Sequence, residues 1–234
     1  MRDSQIVKDY SEYSGLSIDE IISKTDDAVA INRDSYNSYG SSYDFYEKSK
    51  TYVFDLLRAN HNEAALVDKI NLFSPSFMFD ICSRREGSFL EFGGGLGVFC
   101  EAVKRRTSLD VTYCDIKTHV SDFTLWRYEK HNVPVNTLII PQEDFTLEKK
   151  YDIIFTDAVI EHMEPEQQKK TIKKLGSSLN KFGLLTLLID LEGNTPDMPM
   201  HYNVDIVELH NILASEKLSC IYGRNTFSSR WVKI

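Results

Sequence analysis

Residues 89–97 read FLEFGGGLG, an apolar run that holds one acidic residue and breaks directly into a glycine-rich turn. The chain continues as VFCEAVK over residues 98–104, which predicts a helix. A buried strand that runs through glycines into a helix leaves bare backbone where a nucleotide-like ligand can approach closely. This stretch therefore predicts the first strand, turn and helix of a ligand-binding α/β sheet.

The glycine spacing argues against a dinucleotide ligand. The dinucleotide fingerprint needs glycines at relative positions one and three, and a glycine or alanine at position six. Counted from Gly93, position six is Val98, so the fingerprint is broken. An ordinary tight turn is the alternative interpretation of a glycine-rich loop taken alone. What remains is an acidic residue that leads closely spaced glycines, namely Glu91 with Gly93, Gly94, Gly95 and Gly97.

This pattern resembles motif I of the class I S-adenosylmethionine (SAM)-dependent methyltransferases. The resemblance implies SAM as the cofactor and S-adenosylhomocysteine (SAH) as its product. It also implies that the glycines let the backbone pass beneath the methionine and ribose parts of SAM. Glu91 is then expected near the amino group of the cofactor.

The second predicted strand supplies a candidate ribose ligand. Residues 111–116 read VTYCDI and place Asp115 at the strand end. A carboxylate at this point can accept hydrogen bonds from both ribose hydroxyls. A solvated Asp at a strand end is the alternative. Ile116 is expected beside the adenine.

The third predicted strand departs from the family pattern. After residues 135–140, the family usually has an Asp that contacts adenine, but Pro141 takes that place here. The adenine contact is therefore predicted to shift to Gln142, Glu143 or Asp144, and we favour the first two.

The fourth predicted strand carries a second resemblance. Residues 151–163 read YDIIFTDAVIEHM, and this segment resembles many small-molecule and lipid-quinone methyltransferases. Asp157 follows the strand at the carboxyl edge of the sheet, where open parallel sheets bind their ligands. We predict that Asp157 contributes to the cofactor site and lies within reach of the transferred methyl group and the acceptor.

Two histidines are candidate catalytic bases besides Asp157. His162 closes the fourth-strand segment, and His201 lies in a loop after the fifth strand. Packing in a helix turn is the alternative for His162, and an inert exposed side chain is the alternative for His201. A Glu-x-x-Glu-His metal site, as in a subset of RNA 3′-end methyltransferases, would need a carboxylate at Ala158. We therefore predict no metal.

The predicted fold is a Rossmann-like α/β domain over residues 88–234, with helices on both faces of a mostly parallel sheet of seven strands. Residues 184–189, LLTLLI, predict a strand that is buried on both faces. Residues 218–222 and 230–234 flank a polar turn and predict an antiparallel C-terminal hairpin.

Residues 1–87 predict a helical N-terminal extension, with helical runs at about 17–29, 42–59 and 62–85. Ser17 and Glu20 have the spacing of a capping box. The polar stretch 32–43 is predicted to be a flexible lid. Four tyrosines here are candidate contacts to cofactor or acceptor, or a packing face: Tyr36, Tyr39, Tyr43 and Tyr46.

Composition bounds the partners. The 234 residues carry a net charge of −8, which opposes tight binding to a phosphate backbone, so nucleic acid is a poor candidate. No apolar run resembles a signal peptide or reaches the length of a membrane span. The four cysteines are isolated, as in reduced proteins. We expect a cytoplasmic protein with a small-molecule acceptor and no membrane partner, and homo-oligomerisation stays open.

The reaction follows from the resemblance. A sulfonium methyl group is already activated, so the enzyme has to align the acceptor, exclude water and, for a hydroxyl, remove a proton. Residues 156–159 lack the Asn-Asn/Asp-Pro-Pro-Tyr signature of amide and nucleobase methylation. We predict O-methylation of a small polar metabolite, such as a sugar or sugar-linked intermediate, with N-methylation second. The alternatives are a metal-assisted RNA 3′-end methyltransferase and a non-catalytic SAM-fold binding or partner protein.

Overall fold

The computed structural model describes residues 1–142 and 144–234. Over these residues the strands are β1 Ser88–Phe92, β2 Asp110–Ile116, β3 Asn136–Ile140, β4 Tyr151–Asp157, β5 Leu179–Leu188, β6 Leu218–Tyr222 and β7 Ser228–Lys233. They form one sheet in the order β3-β2-β1-β4-β5-β7-β6. The first five strands are parallel, and β7 runs antiparallel to both of its neighbours. The predicted Rossmann-like sheet with its antiparallel hairpin is confirmed.

The strand order creates the cleft. Strand β1 pairs with β2 on one side and with β4 on the other. The chain runs outward from β1 to β2 and β3, and it then crosses to β4 on the other side of β1. A crevice opens at the carboxyl ends of the strands where this change of direction occurs. Neighbouring residues Phe89 and Leu90 are both fully buried, on opposite faces of the sheet, which explains why the strand is an unbroken apolar run.

The N-terminal extension is more finely divided than the predicted helical runs. Its helices are α1 Gln5–Ser14, α2 Ile18–Asp26, α3 Ala28–Tyr36, α4 Ser42–Lys48, α5 Tyr52–Asn60, α6 Glu63–Phe73 and α7 Phe77–Cys82. Ser17 and Glu20 form the predicted capping box. The stretch predicted as a flexible lid is helical from residue 32 to Tyr36. The Ser49 side chain accepts from the backbone N–H groups of Thr51 and Tyr52, which breaks the predicted run at 42–59.

Later helices cover the two faces of the sheet. They are α8 Val98–Arg106, α9 His119–Lys130, α10 Pro165–Ser177 and α11 Ile206–Ser215, together with a short 3₁₀ helix, Ile160–His162. One apolar core joins α8 and α9 to the extension, where Val7, Ile21 and Leu57 are fully buried with Phe89. The other core packs α10 and α11 against the opposite face. The extension thus shares a core with the sheet, and the boundary at residue 87 stays a prediction.

None of the helices in the described ranges combines the length and the apolar character that crossing a bilayer requires.

Candidate functional site

A cavity of about 290 Å³ lies at the carboxyl edge of the sheet. Its floor is the glycine turn after β1 and the ends of β2, β3 and β4. Its roof comes from α4, α5 and α6 of the extension, and residues 197–201 close one end. A volume near 300 Å³ with mixed polar and apolar walls is typical of a small-molecule site.

The glycines of the turn are required for two different reasons. A Cβ atom on Gly93 would lie 2.3 Å from Val159, and one on Gly97 would lie 2.2 Å from the Tyr128 hydroxyl. At Gly95 the nearest atom is a Leu56 methyl carbon at 3.6 Å, so this residue turns its open side to the cavity. All three have positive φ. Gly93 and Gly97 are therefore fixed by packing, whereas Gly95 leaves room for a ligand.

Gly94 and Gly97 differ in their position relative to the cavity. Gly94 lines the cavity, and a Cβ atom there would lie 2.4 Å from the Tyr113 ring. Gly97 does not line the cavity. It stands at the N-terminus of α8, where its backbone carbonyl accepts from the Tyr128 hydroxyl at 2.7 Å.

Glu91 is a buried carboxylate beside the turn. One oxygen accepts a hydrogen bond from the Cys100 backbone N–H at 2.8 Å, in the first turn of α8. Burial raises the pKa of Glu91 to about 8, and this bond opposes the shift only in part. A ligand cation beside Glu91 would favour its ionised form. The position suits the predicted role near an amino group.

Asp115 fastens the glycine turn to the end of β2. One of its oxygens accepts from the Gly95 backbone N–H at 2.7 Å, and the other accepts from the Ile116 backbone N–H at 2.7 Å. The Tyr113 hydroxyl lies 3.2 Å from the first oxygen, but its single proton has a nearer acceptor in the Gly95 carbonyl oxygen at 2.9 Å. Burial raises the pKa of Asp115 to about 6. Backbone N–H groups therefore fill two of about four acceptor positions, and each oxygen retains one that a ribose hydroxyl could use.

The wall after β3 is largely apolar. Ile116 and Gln142 line the cavity, together with Ile140 and Phe145, and their contact with adenine stays a prediction. Glu143 lies outside the described residues. Asp144 is exposed and pairs with Lys174 at 2.7 Å, so it takes no part in this wall. Sequence reasoning missed Phe145, although an aromatic residue shortly after this strand is a signal that could have found it.

Asp157 meets a cation from the extension. The Lys69 ammonium, on α6, lies 2.9 Å from an oxygen of Asp157 at the end of β4. Among the described residues that line the cavity, Lys69 is the sole Lys or Arg. The next residue, Ala158, has φ +54°, a left-handed conformation that turns the chain sharply after the strand. Sequence reasoning missed Lys69 because it lies 88 residues from Asp157, in a different part of the fold.

The two histidines lie in contact at the other end of the cavity. The ring centroids of His162 and His201 are 4.6 Å apart in an edge-to-face arrangement. The Tyr46 hydroxyl hydrogen-bonds to Nδ1 of His162. Burial, and then the neighbouring His201, lower the pKa of His162 to about 3. His162 is therefore neutral at physiological pH, a weak base, and has one nitrogen already engaged.

His201 is differently placed. It is 8% exposed, and its Nδ1 atom has no hydrogen-bond partner in the described structure. The nearest carboxylate oxygen, on Asp190, is 3.8 Å away. Burial lowers the pKa of His201, and Asp190 opposes that shift. The loop places a neutral imidazole with a free nitrogen at the cavity wall, so His201 is not the exposed residue that the alternative interpretation required.

Glu161 lies beneath these histidines. It is fully buried; its Oε1 accepts from the Asp190 backbone N–H at 3.0 Å, and its Oε2 has no partner in the described structure. Burial raises the pKa of Glu161 to about 8. Sequence reasoning considered Glu161 only as part of an incomplete metal motif. Its burial and its free oxygen emerge only from the fold.

We expect Glu161→Gln to stabilise the ligand-free protein at alkaline pH. Because the folded-state pKa of about 8 exceeds the ordinary value of 4.5, Glu161 contributes stability below pH 4.5 that is lost as pH rises to 8. Gln avoids that loss and still accepts the Asp190 N–H. The gain in unfolding free energy should reach on the order of 5 kcal/mol at pH 8.5, since each unit of difference between the two pKa values is worth about 1.4 kcal/mol.

Urea denaturation at pH 5 and pH 8.5 tests this expectation. The exposed residue Glu192 supplies the control Glu192→Gln, which should change stability little at either pH. An advantage for Glu161→Gln that fails to grow with pH would contradict the assigned pKa.

The tyrosines of the extension divide into two groups. Tyr43 and Tyr46 line the cavity as candidate ligand contacts. Tyr36 and Tyr39 lie outside it and pack edge-on against Phe45, with ring centroids 5.7 and 5.5 Å away. Tyr36 and Tyr39 therefore form part of a packing face, which was the alternative to ligand contact. Tyr52, which sequence reasoning did not select, lines the cavity beside Tyr46.

Over residues 1–142 and 144–234, no three His, Cys, Asp or Glu side chains are grouped so as to hold a metal ion.

Comparison with known proteins adds family and fold. Residues 58–217 match the family model described as "Methyltransferase domain". PigF with SAH is 14% identical over 91% of this chain and 69% of its own, with a TM-score of 0.59. An O-methyltransferase family protein from Burkholderia thailandensis is 12% identical over 89% and 70%, with a TM-score of 0.56. Magnesium protoporphyrin IX methyltransferase from Synechocystis PCC 6803 with bound SAM is 17% identical over 89% and 98%, with a TM-score of 0.54. No curated protein matches the chain.

Proposed function

The chain belongs to the methyltransferase-domain family, and we propose that it transfers the methyl group of SAM to a hydroxyl group of a small polar acceptor beside His201. The observation that carries the proposal is the arrangement of one cavity. A glycine turn with its carboxylates forms one end, and a buried imidazole with a free nitrogen forms the other. We propose a sugar or a sugar-linked intermediate as the first acceptor class to test.

The residues at the glycine end fit SAM. Gly95 leaves open space at the cavity wall, Asp115 retains an acceptor position for a ribose hydroxyl, and Glu91 offers a carboxylate to the amino group. The apolar wall around Ile116 and Phe145 suits a planar base. When bound, SAM supplies an activated methyl group, and the methyl–sulfur bond breaks with its electron pair on sulfur to leave SAH.

Two alanine substitutions in the turn should have opposite consequences. Gly93→Ala would force a Cβ against Val159, so we expect about 3 kcal/mol of destabilisation or more. Gly95→Ala meets no close atom and should cost only about 1 kcal/mol for its positive φ. Its Cβ would instead intrude on the ligand, so stabilisation by SAH should be lost. Urea denaturation and melting with and without SAH measure both effects, and a Gly95→Ala protein that keeps its full SAH response would refute the placement of the cofactor.

Lys69 is the candidate partner of the cofactor carboxylate. SAM carries a carboxylate as well as its amino group, and Lys69 is the one ammonium among the described lining residues. We expect Lys69→Met to weaken SAM binding about tenfold, since a hydrogen bond to a charged group is worth about 1.5–3 kcal/mol and Lys69 is partly exposed. Binding of decarboxylated SAM should change less than twofold. Calorimetry with both compounds checks this, with the exposed Lys48→Met as control; an equal loss for both compounds would contradict the role.

His201 is the proposed proton acceptor. A hydroxyl has to lose its proton as the new carbon–oxygen bond forms, and Nδ1 of His201 is free to receive it. Asp190, 3.8 Å away, stabilises the charged imidazolium that results. His162 is assigned a positioning role, because Tyr46 occupies its Nδ1 and its ring supports that of His201. Asp157 stays a candidate contact to the cofactor.

The proposal is tested with SAM that carries a ¹³C-labelled methyl group. We expect SAH, but not NAD, to raise the melting temperature, and we expect label in an O-methyl product when hydroxylated acceptors are supplied. No response to SAH would overturn the cofactor assignment. An N-methyl product would favour the second candidate, for which the free oxygen of Glu161 offers an amine contact. SAH binding without transfer to any acceptor would favour a non-catalytic partner protein.

The RNA 3′-end alternative has little support from the site. The described residues that line the cavity include one Lys and no Arg, so a phosphate backbone would meet carboxylates. Activity that disappears on chelation and returns with a divalent cation would revive this alternative.

A further inference from the structure

The cavity lining is strongly acidic. Seven of the described lining residues are Asp or Glu, against one Lys. The cofactor end holds Glu91, Asp115 and Asp157. The other four define what we call the acceptor end. Asp190 and Asp55 are near enough to His201 to raise its pKa, Glu161 precedes His162 in the short 3₁₀ helix, and Asp197 lies four residues before His201.

Ion pairs compensate only part of this acidity, and a cationic ligand beside Glu161 would favour its ionised form over the protonated form that burial favours. Asp55 pairs with Arg58 and Asp197 pairs with Arg33, each at 3.1 Å. In the described chain, neither Glu161 nor Asp190 has a Lys or Arg within 4.0 Å. The acceptor end therefore retains two carboxyl groups without a cationic partner.

Two buried polar atoms at this end lack partners. They are Oε2 of Glu161 and Nδ1 of His201, on residues that are 0% and 8% exposed. Leaving such atoms without hydrogen bonds is unfavourable, so a ligand that donates to both would bind strongly. Nδ1 of His201 is reserved for the reacting hydroxyl in the proposed function. Oε2 of Glu161 is then left for a second donor on the same acceptor.

The neighbouring walls suit a cation. Tyr46 and Tyr52 lie on the same side, with ring centroids 4.6 and 6.4 Å from that of His162. Aromatic rings attract ammonium groups in sites sheltered from water. Met198 and Met200 complete the wall without adding charge.

We propose that the methyl acceptor is a hydroxylated cation, an amino alcohol or amino sugar in the broad sense, and that it carries no anionic group. Its hydroxyl would face Nδ1 of His201, and its ammonium group would bind Glu161 and Asp190. This inference rests on the proposed function, since it assumes that SAM occupies the glycine end. It also narrows that function by excluding phosphorylated and carboxylated acceptors.

Small probes of matched size test the charge preference. Ethanolamine, ethylene glycol and glycolate each have two carbons and a hydroxyl, and they differ in whether an ammonium, a second hydroxyl or a carboxylate is present. With the protein saturated with SAH and ionic strength held constant, we expect ethanolamine to bind at least fivefold more tightly than ethylene glycol, and glycolate not to bind. Binding is followed by the shift in melting temperature and by calorimetry.

Variants locate the effect. Glu161→Gln should remove the preference for ethanolamine while SAH binding stays within threefold, which also shows that the variant is folded. Glu148→Gln, at an exposed position outside the cavity, should keep the preference. Glycolate binding as well as ethanolamine does, equal binding of all three probes, or a preference unaffected by Glu161→Gln would overturn the inference. A protein that does not bind SAH at all would instead refute the proposed function.

The charge of the natural product gives a second readout. Protein supplied with methyl-tritiated SAM and a low-molecular-weight cell extract should yield a labelled product. Because unreacted SAM is itself a cation, the product is first separated from it by reversed-phase chromatography, and a cation exchanger should then retain the product at pH 7. A labelled product held by an anion exchanger would overturn the inference.

Discussion

Asp115→Ala is expected to weaken SAH binding about 30- to 1000-fold. The carboxylate has two tasks, because it offers an acceptor to the ribose and holds the Gly95 backbone N–H at 2.7 Å. Alanine removes both the charged acceptor and the anchor of the turn. Loss of such bonds is worth about 2–4 kcal/mol in binding free energy, which corresponds to this range of affinities. Calorimetric titration with SAH measures the effect.

The neighbouring acidic residue Asp144 provides the control. It is exposed and pairs with Lys174 outside the cavity. Asp144→Ala should therefore leave SAH affinity within twofold. If Asp115→Ala also left the affinity unchanged, Asp115 would not be a cofactor ligand, and the interpretation of β2 would have to be abandoned.

His201→Asn is expected to lower kcat by 10²- to 10⁴-fold, the usual contribution of a general base, with SAH affinity within twofold of the wild type. The pH dependence of kcat in the wild-type protein also tests the role of His201 as the base. Because burial lowers the pKa of His201 below 6.5, kcat should be level at pH 7 and above and should fall only at acidic pH. The variant should lack that acidic fall. Single-turnover measurements from pH 5 to 9 separate the chemical step from product release.

His162→Asn is the matched comparison. Its pKa of about 3 lies outside the assay range, and its Nδ1 is held by Tyr46. We expect kcat to fall about tenfold through misplacement of the His201 ring, while the acidic limb of the profile persists. If His162→Asn instead lowered kcat more than His201→Asn does, and also lacked the fall in kcat at acidic pH, His162 would be the base.

The parts of the site closest to the backbone could be predicted from sequence. The glycine turn can be recognised in the sequence because two of its positions require glycine. Gly93 and Gly97 have positive φ, and close packing leaves no room for a side chain at either position. A carboxylate such as Asp115 at the end of a parallel strand falls on the ligand edge once strand order is assumed. The glycine turn and the strand-end carboxylate both depend on the spacing of residues that are close together in the chain, and this spacing can be read from the sequence.

Helix boundaries in the extension were less predictable. The run expected at 42–59 divides at residues 49–51, where Ser49 and Thr51 form hydrogen bonds that compete with the helix, including one from Thr51 to Asn32. A Ser or Thr hydroxyl is compatible with either a continued or an interrupted helix, and its hydrogen-bond partner, which decides between them, can be distant in the sequence.

The α/β sheet, the glycine turn and their family could be predicted from the sequence, because strand pattern and backbone conformation are set by neighbouring residues. How distant side chains meet around the cavity depends on the tertiary structure. At the cofactor end the fold brings Lys69 to Asp157 across 88 residues, and at the acceptor end it brings Tyr46 to His162 across 116. It also buries Glu161 and His201 with a free polar atom each. Charge, burial and hydrogen bonding at that end arise from helices packed over the edge of the sheet, and no local pattern specifies which side chains will meet there.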